Sequence, residues 1–100
     1  MGLVGIGTSS DSVELSGISG ADAFERAATA MARAGKVLET DAGAGFIRGS
    51  TRYGLQKVRL KVTIQRSGND SILNIEALAD DVWGKGARSG IKRFRNALGA

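Results

Sequence analysis

Apolar and polar residues alternate without a break from Lys57 to Ile64, and no other stretch restricts the fold of this chain as tightly. A period of two is the strand repeat. It puts Val58, Leu60, Val62 and Ile64 on one face and Lys57, Arg59, Lys61 and Thr63 on the other. The first face belongs to a core, and the second is basic and wet.

The next fifteen residues fix the partner of this strand. Gln65 to Ser71 is a hairpin loop by composition, and Ile72 to Ala79 reads as a further strand. If Arg66 faces Ser71 across the loop, Ile64 faces Leu73, Val62 faces Ile75 and Leu60 faces Ala77, so core residues meet core residues. The same register sets Lys61 opposite Glu76 and Thr63 opposite Asn74 on the wet face, an opposite-charge pair and a polar pair. Both faces select one register.

The remaining elements are read from local signals. Residues 1–11 are Gly- and Ser-rich and read as a poorly ordered leader. Ser12 to Ser19 is a short strand carrying Val13 and Leu15, with Gly17 marking a bulge. Ser19 caps a helix from Ala21 to Ala34, Asp22 lies in its first turn, and Phe24, Ala27, Ala28 and Met31 form its stripe. Gly35 stands where a left-handed C′ residue ends such a helix. Lys36 to Thr40 is a strand and Asp41 to Gly45 a flexible turn. Phe46 to Arg52 is the next strand, with Ile47, Gly49 and Thr51 on one side and Phe46, Arg48, Ser50 and Arg52 on the other. Tyr53 to Gln56 connects it tightly to the central strand. Asp80 and Asp81 open the final helix as cap and first-turn acids, and Ala87, Ile91, Phe94 and Leu98 make its stripe. Gly84, Gly86 and Gly90 weaken that helix by about 1 kcal/mol each, so it is expected to begin properly only near Ala87. The sum is one α+β domain over residues 12–100. It is a two-layer sandwich whose antiparallel sheet of about five strands, in the order β-α-β-β-β-β-α, carries both helices on one face.

Residue types narrow the chemistry. With no histidine and no cysteine, Ser-His, Cys-His and imidazole-ligated or thiolate-ligated zinc chemistry are excluded, as are disulfides. Helix capping explains Asp80 and Asp81, and no loop has EF-hand spacing. The Gly84 to Gly90 segment resembles a phosphate cradle but matches neither the P-loop nor the dinucleotide order, and hairpin-linked strands supply no parallel βαβ unit. The expectation is a non-enzymatic domain without metal or cofactor. The apolar start from Met1 to Gly7 lacks a basic flank and is too short to span a bilayer, so a cytoplasmic setting is expected.

Charge points to the partner. The net charge of +4 is unevenly spread: residues 1–44 hold three basic and six acidic residues, residues 45–100 eleven basic and four acidic. Arg48, Arg52, Lys57, Arg59 and Lys61 share the open sheet face, and Arg88, Lys92 and Arg95 flank the stripe of the last helix. These eight are the candidate contacts for an anionic partner, nucleic acid or acidic protein. The alternative is a cleft between the last helix and the sheet, lined by Trp83, Ile91 and Phe94, that takes a small apolar ligand.

The element order over residues 12–98 resembles two known architectures, the TATA-binding-protein half-domain and the helix-grip domains of the birch-allergen and START type. Arg48-Gly49-Ser50-Thr51-Arg52, the Asp-Asp-x-x-Gly stretch from Asp80 to Gly84 and the Ala-Arg-x-x-Ile-x-x-Phe stretch from Ala87 to Phe94 also resemble small bacterial domains of unknown function. The first likeness implies nucleic-acid contact through the sheet, although its apolar, phenylalanine-bearing face differs from this polar one. The second implies an enclosed ligand, and the third carries no assigned activity.

Overall fold

The central hairpin has the register that its two faces require. In the computed structural model, which describes residues 7–79 and 85–99, β4 (Gln56–Ser67) pairs with β5 (Asp70–Ala79). Ile64 lies opposite Leu73, Val62 opposite Ile75, Leu60 opposite Ala77, Lys61 opposite Glu76 and Thr63 opposite Asn74. The ladder runs one pair further than the expected loop allows, to Ser67 and Asp70. Gly68 adopts φ 63° at the first central position, where a two-residue hairpin turn favours glycine. Gly54, at φ 65°, does the same between β3 (Phe46–Tyr53) and β4.

Around this hairpin stand β1 (Gly7–Leu15) and β2 (Lys36–Asp41) at the two edges, giving a five-stranded antiparallel sheet in the order β1-β5-β4-β3-β2. Helices α1 (Gly20–Ala34) and α2 (Lys85–Leu98) complete the α+β fold with the expected element order. Val58, Leu60, Val62, Leu73, Ile75 and Ile47 of the strands join Met31 of α1 and Ile91 and Phe94 of α2 in one core. Phe94 is fully buried, a side chain whose removal from water contributes about 1.5–3 kcal/mol. No helix among the described residues is long and apolar enough to cross a membrane.

Several local expectations need correction. The leader does not extend over 1–11, because Gly7 to Asp11 belong to β1. Backbone pairing with β5 orders them without apolar alternation, for Gly7 faces Ala79 and Asp11 faces Ile75. The first strand ends at Leu15, not Ser19, and Gly17 with φ 70° sits in the turn beyond it. That turn is fastened by the Gly17 N–H donating to Asp70 Oδ1 at 2.8 Å and by Ser71 Oγ donating to Ile18 O at 2.7 Å.

Ser19 caps α1 as expected, its Oγ accepting from Asp22 N at 3.2 Å. The buried face of that helix is Ala23, Ala27, Ala30, Met31 and Ala34, with Phe24 and Ala28 only partly buried. These small residues bring it so close to the sheet that Met31 Sδ occupies the space a side chain at Gly49 would need.

Gly35 is not left-handed, having φ −177°. It is held by proximity, because a Cβ there would stand 2.9 Å from both Ser50 C and Thr51 Cα and would run into the Ser50 carbonyl oxygen. Likewise α2 already includes Lys85 and Gly86 instead of starting near Ala87, and Gly86 and Gly90 are contact points. A Cβ at Gly90 would meet Val58 Cγ1 at 2.7 Å, and one at Gly86 would lie 3.2 Å from Ala79 Cβ. The propensity lost to glycine allows the helix to approach the sheet closely. Asp80, Asp81, Trp83 and Gly84 lie outside the described residues.

Candidate anion-binding face

The helices cover one side of the sheet, and alternation places the other set of side chains on the open side in rows that cross the strands. One row runs Ser10, Glu76, Lys61, Arg48, Glu39 from β1 to β2. The next runs Thr8, Leu78, Arg59, Ser50, Lys36. Beyond it Lys57 faces Arg52, and on the other flank Ser12, Asn74, Thr63, Phe46 and Asp41 form a polar row with one aromatic ring.

The β3–β4 ladder thus sets like charges directly opposite one another twice, Arg48 against Lys61 and Arg52 against Lys57. Such pairs destabilise a sheet. Two acids offset part of the charge: Glu39 lies 3.5 Å from Arg48 in an exposed ion pair, and Glu76 faces Lys61. Arg48 and Lys61 also flank the Phe46 ring, 5.8 and 5.7 Å from its centroid, within cation–π range.

A trough of about 770 Å³ lies over these rows, lined by residues of every strand, among them Arg48, Arg59, Lys61, Glu76, Leu38 and Leu78. Leu38 shares the side of Lys36 by alternation, and a register shift in β2 between Val37 and Glu39 turns Glu39 to that side as well. A bulge of this kind turns two successive side chains to one side, and Leu38 is 52% exposed.

The other two cations predicted for this face, Arg52 and Lys57, lie apart from the trough. Pairing with β2 stops at Ser50, so the end of β3 from Thr51 to Tyr53 has no strand beside it on that side among the described residues. There Lys36, Arg52, Lys57 and Arg93 line a notch of about 410 Å³ with Ser50, Thr51 and the end of α1. Arg93 Nη1 donates to Thr51 Oγ1 at 3.3 Å, and Thr51 Oγ1 donates to Ala34 O at 2.8 Å.

Arg88, Lys92 and Arg95 of α2 line a third hollow, of about 420 Å³, with Ser9, Ser10 and Asp11 at the β1 edge. Arg95 bonds Asp11 at 2.6 Å. The Ser12 N–H and then the Arg95 guanidinium hold the Asp11 carboxyl below its ordinary value of 3.8, with burial opposing them weakly. The eight predicted cations are therefore divided among three places. Ile91 and Phe94 belong to the packed core, Ile91 also lining this hollow, and Trp83 lies outside the described residues.

Sequence reasoning missed Lys36, Arg93, Leu38 and Leu78. Lys36 and Leu38 had a signal in β2, where a spacing of two puts them on one side of the strand. Arg93 had none, since its role depends on where α2 crosses β3. Among the described residues no three acidic, histidine or cysteine side chains form a metal-binding group. The chain matches no protein-family model and no curated protein.

Proposed function

We propose that the open sheet face binds single-stranded nucleic acid through its phosphates, as a non-enzymatic accessory domain. The observation that carries this reading is the pair of like-charged contacts, Arg48 with Lys61 and Arg52 with Lys57, on an exposed ladder beside a trough. A polyanion lying along the ladder relieves the repulsion that these contacts impose on the free protein.

Spacing agrees with a single strand. Lys57, Arg59 and Lys61 succeed one another on β4 at about 6.7 Å, two residues of strand rise, which is close to the phosphate repeat of an extended chain. Phe46 at the end of this series offers a face on which a base stacks, and aromatic–base stacking is sequence-tolerant. An acidic protein would satisfy the cations but would make no comparable use of that ring.

The test is fluorescence anisotropy of a labelled deoxythymidine decamer at low and rising salt. Binding should weaken with salt, and Lys61→Gln should reduce the slope of log K against log salt by about 0.7, the value for one phosphate contact to a single strand. Phe46→Ala should weaken binding by about 1–3 kcal/mol. No binding at low salt, or equal competition by polyglutamate, refutes the reading.

A further inference from the structure

We infer that the notch at the corner of the sheet is a separate site for a phosphate monoester, the dianionic group that terminates a phosphorylated strand. The site stands on its own geometry, while its use for a strand end rests on the sheet-face reading above.

Lys36, Arg52, Lys57 and Arg93 come from β2, β3, β4 and α2, and no carboxylate is among the described residues that line the notch with them. Among the described residues, the ion pairs are Arg48–Glu39 and Arg95–Asp11, so no described carboxylate pairs with any of these four cations. Local structure accounts for little of this charge. The C-terminal turn of α1 presents its carbonyls here, and that end of a helix is equivalent to about half a negative charge, enough to complement one cation and not four.

The groups differ in how firmly they are held. Arg93 is fixed through Thr51 to the Ala34 carbonyl, whereas Lys36, Arg52 and Lys57 are exposed side chains able to close on a guest. One anchored guanidinium with three adjustable cations suits an anion with several acceptor oxygens and more than one charge. A phosphodiester carries a single charge, but a phosphate monoester carries about 1.5–2 at neutral pH and three terminal oxygens.

The notch also adjoins the trough. Leu38 lines both, and Lys57 is the last cation of the β4 series. A strand whose phosphates track that series is delivered at its end to the notch.

The experiment compares three labelled octathymidylates, carrying a 5′-phosphate, a 3′-phosphate or hydroxyls at both ends, with phenyl phosphate as a small probe in parallel. One phosphorylated octamer should bind about fivefold or more tightly than the hydroxyl-ended one. Combining Lys36→Gln with Arg52→Gln should erase that ratio at an unchanged or higher unfolding midpoint. Lys61→Gln should weaken all three octamers and preserve it. Equal affinity for the three octamers, or a ratio that survives in the double variant, overturns the notch while leaving the trough reading intact. If no octamer binds but phenyl phosphate does, and the double variant loses it, the notch is supported and the trough reading falls.

Discussion

Replacing Gly35 by alanine separates two reasons for a glycine at the end of a helix. If the residue served only as a left-handed cap, the cost would be about 1 kcal/mol, the ordinary penalty for a Cβ in that conformation. Here the φ is −177° and the obstacle is main chain: an added Cβ would be 2.9 Å from Ser50 C and Thr51 Cα, with the Ser50 carbonyl oxygen nearer still. Neither strand nor helix end can yield by turning a side chain. To reach an ordinary contact the α1–β2 connection must move away from β3, and the hydrogen bond from Thr51 Oγ1 to Ala34 O lies on that same junction. Overpacking costs about 1–3 kcal/mol and a buried polar group deprived of its partner about 1–3 more, so a loss of about 3 kcal/mol is expected. In a domain of this size that lowers the melting temperature by roughly 12–24 °C. Urea denaturation measures it, with Gly17→Ala as the control. Gly17 has φ 70° and nothing within 4 Å of an added Cβ, so its substitution should cost only about 1 kcal/mol. Equal costs at the two positions would refute the close-approach argument.

Arg52→Glu should turn the repulsive contact with Lys57 into an attractive one and raise stability by about 0.5 kcal/mol at low salt, a gain that high salt removes. The same variant should bind nucleic acid more weakly, and a fall in its urea midpoint would show that the two side chains do not face each other. Asp11 has a folded-state pKa below its ordinary 3.8, so the stability it supplies is complete above that value and is lost as the pH falls through the lowered one. Asp11→Asn should therefore lower stability at neutral pH and flatten the acid limb of a midpoint-against-pH curve; an unchanged acid limb would remove Arg95 and Ser12 from the account.

Legibility in the sequence tracked the range of the forces involved. The β4–β5 register was readable because alternation on two faces is a local pattern that only one alignment satisfies, and the structure agrees at every expected pair from Leu60–Ala77 to Arg66–Ser71. The start of β1 was not readable. Gly7, Thr8, Ser9 and Ser10 carry no apolar alternation and are ordered through backbone pairing to β5. Glycines were misjudged for a related reason: propensity records what Gly86 and Gly90 cost α2, while the compensation lies across space at Ala79 and Val58. The basic face was legible as a stripe on β4. Its division into trough and notch was not, since the notch assembles Lys36, Arg52, Lys57 and Arg93 from four elements, and the bulge that sets Glu39 opposite Arg48 is a mismatch between strands.

That mismatch has a bearing on how copies of the molecule meet. β2 is the outermost strand on its side, and every one of its residues is exposed. A regular strand in that position is a template onto which another chain can add, the first step toward open-ended polymers. The shift between Val37 and Glu39 divides the edge into Lys36–Val37 and Glu39–Asp41, so an incoming strand finds no unbroken run longer than the latter before the register fails. Leu38, the unpaired residue at that shift and an apolar wall of the trough, therefore also interrupts the sheet edge on this side.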